Sequence, residues 1–277
     1  MIPDAAHPLR PARLRFRFTK LGRIRFTSQR DVARMWERAL RRSGMPVAWT
    51  GGFSPRPLLS FGLALPTGHE SRAEYVDVRL DPGGTDSGPG DGPALLDGGE
   101  RPEELARVMT QLLPDGLCVV AAAALAHDAP SLQQQVTSCS WEMEVRGVAV
   151  TELEERIGRL LDAPSIPVRR ERKGRWVEDD LRPSVCRLVL VQGAGDVSGR
   201  EPLPRGSGDS HRIDVELATR PRGVRPRELL EGLGAGLALV RACRTHQWIE
   251  RDGARDEPLP IGSGPGGVGA PAPGGVS

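Results

Sequence analysis

The feature that most limits the possible fold is an ordered series of strand and helix patterns. In residues 13–19, apolar and polar residues alternate with the period of a strand that buries one face. After a break at residues 21–23, Ile24 and Phe26 resume this alternation. Between residues 32 and 40 the apolar positions recur three and four apart, as on one face of a helix. The chain is therefore predicted to begin with a strand and an amphipathic helix.

The predicted helix carries its own start and stop signals. Ser28 is followed three residues later by Asp31, a spacing typical of an N-terminal cap. Gly44 follows the last apolar position and is typical of a C-terminal cap. The outer face of this helix, opposite the apolar positions, is rich in arginine.

The rest of the first half continues with strand, strand, helix and strand. A strand pattern near residues 46–49 is followed by a loop, an apolar run at 58–65 and a strand pattern at 74–80. A helix pattern at 105–113 and a strand at 117–125 complete this half. The order is then β-α-β-β-α-β, which is the order of ferredoxin-like folds.

The second half repeats this order more faintly. Its elements are predicted at residues 141–145, 153–161, 166–170, 185–191, 213–217, 229–233 and 237–249. The sequence thus predicts the α+β class, with two tandem ferredoxin-like halves packed as one unit at residues 10–125 and 136–250. Segments with little apolar content are predicted to be a disordered loop (81–100), a flexible insertion (193–210) and a disordered tail (253–277).

Positive charge is concentrated near the start of the chain. Overall the 38 basic residues nearly balance the 36 acidic ones. The stretch from Arg10 to Arg42, however, contains twelve lysines or arginines and only two acids. This asymmetry favours an anionic partner such as RNA. Because only Lys20 and Lys173 are lysines, the preference for arginine has a second explanation in codon usage.

A glycine- and proline-rich stretch, WTGGFSPRPLLSFGLALPTG, follows the first helix. Gly51 and Gly52 permit positive φ or a close approach of another chain, and prolines restrict the backbone on both sides of Arg56. A guanidinium between flat apolar side chains, including Phe53, is suited to a phosphate, a carboxylate or a base. The alternative is a simple connection between strands, in which Arg56 pairs with an acid such as Glu74 or Asp77.

A second basic segment, RRERKGRWVEDDLRPSV at residues 169–185, predicts a hairpin with a Lys-Gly-Arg turn. It could grip a nucleic-acid backbone, with Asp180 locking its base beside Arg182 and Pro183. The alternative is a solvated hairpin whose exposed ion pairs contribute little. The predicted nucleic-acid-binding residues of the whole chain are Arg15, Arg17, Lys20, Arg23, Arg34, Arg38, Arg41, Arg42, Gly51, Gly52, Phe53, Arg56, Arg172, Lys173 and Arg175.

Other classes of protein find little support in the sequence. The four cysteines lack the short spacing of zinc or iron–sulfur ligands, so no metal or cofactor is predicted. No run of apolar residues is long enough to span a membrane, and we expect a cytoplasmic protein with reduced thiols. No spacing of serine, histidine and acid indicates a catalytic residue.

Several stretches resemble the radical SAM-linked proteins, a bacterial domain family of unknown function. The similarity rests on RLRFRFTKLGRIRFTS, SQRDVARMWERALRRSGMPV and GGFSPRPLLSFGLALPTGHESRAEYVDV, and more weakly on RERKGRWVEDDLRP, covering roughly residues 12–190. The resemblance implies an RNA- or translation-linked role beside a radical SAM enzyme or ribonuclease E/G. The CxxxCxxC motif of a radical SAM domain is missing from this sequence, so a separate polypeptide would have to supply that chemistry.

Three functions remain open from the sequence. The first is a non-catalytic RNA-binding module that acts with a separate radical SAM enzyme or ribonuclease. The second is a metal-independent endoribonuclease resembling the enzymes that process CRISPR repeats, although no histidine lies between His7 and His69 to act as a base. The third is an interaction scaffold that binds an acidic protein.

Overall fold

The computed structural model describes residues 13–81, 102–125, 129–172, 174–191, 210–251 and 253–259. The first half contains β1 (Arg13–Lys20), α1 (Gln29–Ser43), β2 (Leu59–Phe61), β3 (Glu70–Arg79), α2 (Pro102–Leu112) and β4 (Leu117–Leu125). β1 pairs with β3 on one side and with β4 on the other, and β2 pairs with the far edge of β3. All three pairings are antiparallel, so the spatial order is β4-β1-β3-β2.

The second half is longer and contains an additional hairpin. Its elements are α3 (Leu132–Gln135), β5 (Ser138–Arg146), α4 (Val150–Asp162), β6 (Pro167–Arg172), β7 (Arg175–Asp180), β8 (Val185–Val191), β9 (Ser210–Ala218), α5 (Pro226–Leu233), β10 (Ala238–Arg251) and β11 (Ala254–Asp256). The order within the sheet is β10-β5-β9-β8, again antiparallel throughout. β6 and β7 pair only with each other, in a separate two-stranded sheet.

The two halves share one nine-stranded sheet. β3 of the first half pairs in parallel with β10 of the second, at Glu70 with Cys243 and at Ser71 with Arg244. The predicted α+β class is confirmed. Within the sheet, the strands of the first half are β1–β4 and those of the second half are β5, β8, β9 and β10. In each set the first and third strands lie at the centre of the half and the second and fourth at its edges, which supports the tandem ferredoxin-like classification. That classification and its domain boundaries stay predictions.

Each half has its own hydrophobic core between sheet and helices. In the first half, Phe16 and Phe18 of β1 contact Trp36 of α1, with ring centroids 5.5 and 5.1 Å apart, and all three side chains are buried. The second core joins Met143 of β5 to the buried face of α4, including Leu153. The strand and helix periods predicted from the sequence therefore place one face of each element in a core.

The ends of α1 are capped as predicted. The Ser28 side chain accepts a hydrogen bond from the Asp31 N–H, which satisfies a donor at the helix N-terminus. Gly44 ends the helix in the left-handed conformation, with φ of 70°.

Two strand predictions in the first half are wrong. The alternation at Ile24 and Phe26 belongs to a 3₁₀ helix, Gly22–Phe26, because Gly22 with φ of 73° turns the chain out of β1. Residues 46–49 form only isolated bridges, from Val47 to Leu80 and from Trp49 to Pro57.

The tail prediction is wrong at its start. Ala254–Asp256 forms β11, which pairs antiparallel with Ile249–Arg251 at the end of β10. The positive φ of Gly253, 78°, lets the chain reverse between these strands. The predicted disordered segments at residues 82–100 and 193–209, and the tail from residue 260 onward, lie outside the described residues.

Buried ion pairs line the junction between the halves. Arg244 of β10 donates to the Glu74 carboxylate of β3 at 2.5 Å and to the Leu63 carbonyl oxygen at 2.8 Å. Arg241 pairs with the fully buried Glu70, which also accepts the Gly22 N–H at 2.7 Å. Each of these charges has an oppositely charged partner, so these charges are compensated inside the protein.

Candidate nucleic-acid interface

The outer face of α1 is an exposed row of arginines. Val32, Trp36, Ala39 and Leu40 are buried, so the opposite face of the helix is directed to solvent. The exposed arginines on this helix are Arg30, Arg34, Arg38, Arg41 and Arg42. Arg41 and Arg42 occupy the last turn, where positive charge interacts favourably with the helix dipole.

The two acids of α1 do not neutralise this row. Asp31 is used at the N-terminus of the helix, where its carboxylate accepts a hydrogen bond from the Ser28 hydroxyl at 2.7 Å. This hydrogen bond is the largest cause of the lowered pKa of Asp31. The contact between the Asp31 carboxylate and the Arg34 guanidinium, at 3.4 Å, is exposed and weak. Glu37 is the remaining acid of the helix, so the face keeps a positive charge.

The loop that follows α1 is closed on itself. The Thr50 N–H donates to the Arg56 carbonyl oxygen at 2.8 Å, and the Arg56 N–H donates to the Thr50 hydroxyl at 3.0 Å. Gly51 and Gly52 lie in this exposed loop, and Gly52 has φ of 106°, which favours glycine. Phe53, near the tip, is fully exposed. The closed backbone therefore projects an aromatic ring and a guanidinium into solvent.

Arg41 joins the loop to the helix. Its guanidinium lies over the Trp49 ring, 5.0 Å from the ring centroid, and donates to the Pro55 carbonyl oxygen at 2.9 Å. Trp49 is 39% exposed. The helix row and the loop thus form one continuous surface. We call it the helix–loop surface and define it by Arg34, Arg38, Arg41, Arg42, Trp49, Phe53 and Arg56.

Arg56 does not form the internal pairs that we considered as an alternative. Glu74 is paired with Arg244, and Asp77 forms a two-bond pair with Arg15, at 2.7 and 2.9 Å. Within the described residues, the Arg56 side chain has no hydrogen-bond or ion-pair partner. Its guanidinium is available to a ligand.

The structure buries three of the residues predicted to bind nucleic acid. Arg15 is engaged by Asp77, and Arg17, which is 0% exposed, pairs with Glu257 at 2.6 Å. Lys20 donates to the Thr27 carbonyl oxygen at 2.8 Å, and its burial lowers its pKa. Because these side chains point to the interior, they are not part of the helix–loop surface. The alternation of β1 placed Arg15 and Arg17 on the side opposite Phe16, but did not reveal what covers these two arginines.

The remaining predicted residues lie elsewhere. Arg23 is exposed on the 3₁₀ helix, beside the stacked pair of Arg25 and Phe26. Arg175 is exposed in the β6–β7 hairpin of the second half. Arg172 belongs to β6, but its side chain and all of Lys173 lie outside the described part of the chain. The hairpin packs against α5 of the second half.

The predicted hairpin is confirmed and carries an aromatic residue that we did not include. Trp176 is 66% exposed, with the Arg169 guanidinium 5.7 Å from its ring centroid. Asp180 closes the base of the hairpin as predicted, since one carboxylate oxygen accepts the backbone N–H groups of Ile166 and Arg182 at 2.8 and 2.9 Å.

We expect Asp180→Asn to lower stability slightly at neutral pH and not at acidic pH. The hydrogen bonds from Ile166 and Arg182 lower the pKa of Asp180 below its ordinary value of 3.8. Their contribution is therefore present above that value and is lost as the pH falls through the folded-state pKa. Thermal unfolding of both proteins at neutral pH and near pH 2 checks this, and an equal difference at both would contradict it.

None of the residues that define the helix–loop surface is a histidine. Of the histidines, His69 lies at the junction of the halves, edge-on to Trp141 at 6.0 Å, and burial lowers its pKa. Its Nε2 has no hydrogen-bond partner among the described residues. Among the residues that the structure describes, no group of three histidine, cysteine, aspartate or glutamate side chains could hold a metal ion. None of the described helices is long and apolar enough to cross a membrane.

Solved structures with some similarity to this chain include two from RNA–protein and related complexes. A chain in a crystal structure of a Cbf5-Nop10-Gar1 complex is 10% identical, with a TM-score of 0.44 over 84% of this chain and 48% of that one. A chain of an H/ACA RNP bound to a substrate RNA containing 2'-deoxyuridine is also 10% identical, with a TM-score of 0.38 over 84% and 47%. The chain thus spans about half the length of these neighbours. Neither score supports an argument about function.

The sequence comparisons identify the family. No curated protein matches this sequence. The model of a family described as an uncharacterized protein conserved in bacteria, DUF2344, matches residues 13–213 and so includes both α1 and the loop of the helix–loop surface. Since this match covers well over half of the sequence, the chain belongs to that bacterial family.

Proposed function

We propose that this protein binds single-stranded RNA on the helix–loop surface. The observation that carries the proposal is the contact of Arg41 with both Trp49 and Pro55, which fixes an exposed aromatic loop beside a row of arginines. Arginines neutralise phosphates along a nucleic-acid backbone, and exposed rings stack with bases. Here both kinds of group lie on one surface.

The aromatic groups favour a single strand over a duplex. Phe53 is fully exposed and Trp49 is partly exposed. Stacking on such rings requires unpaired bases, whose faces are accessible in single strands and hidden in duplexes. Arg56 adds a planar guanidinium that suits a phosphate oxygen pair.

The finer parts of the functional hypothesis stay predictions. These are the separate radical SAM enzyme or ribonuclease E/G as partner, and the cytoplasmic location. A metal-independent endoribonuclease would need a general base near the bound RNA, and we find no histidine on the helix–loop surface. Co-purification of the full chain from its host, followed by sequencing of bound RNA and mass spectrometry of bound proteins, tests the partners.

Competition between anions tests the proposal against an acidic-protein scaffold. A fluorescent single-stranded RNA is bound to the full chain and then challenged with unlabelled RNA or with polyglutamate of equal charge. RNA should compete more strongly, because polyglutamate offers no bases for stacking. Equal competition would indicate a general anion-binding surface and contradict the proposal.

Removing the two rings should weaken RNA binding more than polyglutamate binding. We expect Trp49→Ala with Phe53→Ala to lower RNA affinity at least about tenfold, since stacking contributes roughly 1–3 kcal/mol per base. The control, Trp49→Phe with Phe53→Tyr, retains two rings and should keep most of the affinity. Fluorescence anisotropy measures the RNA affinity of both variants. Equal losses of affinity in the two variants would show that stacking is not involved.

A further inference from the structure

Residues 257–259 lie against the face of the first-half sheet that is opposite α1. β1 directs Phe16 and Phe18 towards α1, and successive side chains of a strand point to opposite faces. Arg15 and Arg17 therefore face away from α1. On that side they meet residues 257–259, which follow β11 directly.

The contacts of this segment are those of a bound peptide. The Arg17 guanidinium donates to the Glu257 carboxylate at 2.6 Å and to the Leu259 carbonyl oxygen at 3.2 Å. Arg15 donates to the Pro258 carbonyl oxygen at 3.5 Å. The Leu259 side chain packs against an apolar group formed by Ala73, Tyr75 and Leu132. The face thus accepts an acidic side chain, backbone carbonyl groups and an apolar side chain two residues after the acid.

The segment leaves some of the buried polar atoms unused. Nη2 of Arg17 and the hydroxyl of Tyr75 are buried without a hydrogen-bond partner among the described residues, as is Oε1 of Glu257, an acceptor of the segment itself. Arg17 is 0% exposed and Tyr75 is 1% exposed. Buried donors of this kind are nearly always satisfied in a settled interior. The site therefore has capacity for a ligand with a further acceptor.

We propose that this face is a binding site for acidic peptides of the pattern Glu-x-apolar, and that residues 257–259 occupy it within the same chain. A partner protein that carries this pattern and an additional acceptor would displace the segment. The site lies on the opposite face of the sheet from α1, so it is separate from the RNA-binding surface proposed above.

The test uses the full chain and the synthetic peptide RDEPLPI, which has the sequence of residues 255–261. The wild-type protein should bind it weakly, because a tethered segment competes at a high effective concentration. The full-length variant Glu257→Ala with Leu259→Ala frees the site and should bind the peptide at least about tenfold more tightly. The milder variant Glu257→Gln preserves side-chain shape and should show a smaller gain in the same direction.

The peptide controls define specificity. RDQPLPI should bind the freed protein about tenfold more weakly, since the charge-assisted contact with Arg17 is lost. Calorimetry provides the affinities. Equal peptide binding by the wild type and both variants would overturn the proposal. So would binding of single-stranded RNA in place of the peptide at the freed site, which would make this face part of a nucleic-acid surface.

Discussion

Replacing Arg34, Arg38, Arg41 and Arg42 together by glutamine is expected to weaken single-stranded RNA binding about a hundredfold at about 0.15 M salt. Each phosphate neutralised on a single strand contributes about 0.7 to the slope of log affinity against log salt concentration. Loss of four such contacts lowers that slope by nearly three, which corresponds to roughly two orders of magnitude between about 1 M and 0.15 M salt. Anisotropy titrations across a salt series measure the affinity and the slope.

A matched variant separates local contacts from net charge. Arg159, Arg187, Arg227 and Arg251 are also exposed but lie outside the helix–loop surface. Replacing these four by glutamine changes the net charge by the same amount and should leave the slope nearly unchanged. If both variants lower the slope equally, binding depends on overall charge and the helix–loop surface is not a defined site.

The second large effect concerns the junction of the two halves. Arg244→Met is expected to destabilise the protein by roughly 3–5 kcal/mol, because the buried Glu74 carboxylate loses its charged partner. Arg244 is 2% exposed and also donates to Leu63 O, with its guanidinium 5.6 Å from the centroid of the Trp141 ring. Its loss therefore affects groups from both halves. Urea unfolding of the full chain measures the change in the free energy of unfolding.

The double variant Arg244→Met with Glu74→Leu provides the control. With both charges replaced by apolar groups of similar size, no uncompensated charge remains, and a large part of the lost stability should return. If the double variant loses as much free energy of unfolding as the two single variants lose together, the pair is not coupled. A loss below about 1 kcal/mol for Arg244→Met alone would contradict a buried pair at the junction.

Local patterns were sufficient to predict most elements of the sheet and helices. The alternation in β1 and the apolar period of α1 reflect side-chain directions that neighbouring residues determine. The 3₁₀ helix at Gly22–Phe26 was missed because the alternation of Ile24 and Phe26 also suits a strand, whereas the positive φ of Gly22 depends on the turn. Patterns of period two do not distinguish these cases over so few residues.

Contacts between distant residues could not be predicted from these patterns. The parallel pairing of β3 with β10 joins residues more than 170 positions apart, Glu70 to Cys243. The partner of Arg17, Glu257, is 240 positions away, so the burial of that arginine had no local signal. By contrast, Arg41 and Trp49 are close in sequence, and an exposed arginine row followed by an aromatic loop was detectable. Inclusion of Trp49 among the predicted binding residues would have required knowledge of that contact.

The most direct test of RNA binding on the helix–loop surface is photo-crosslinking with a single-stranded oligonucleotide that contains 4-thiouridine. The full chain is irradiated with the RNA, digested and analysed by mass spectrometry. We expect the adducts on peptides that contain Trp49 or Phe53, and we expect the variant with glutamine at the four helix arginines to lose them. Adducts found only on other parts of the chain, such as the β6–β7 hairpin, would contradict the assignment of the RNA site to this surface.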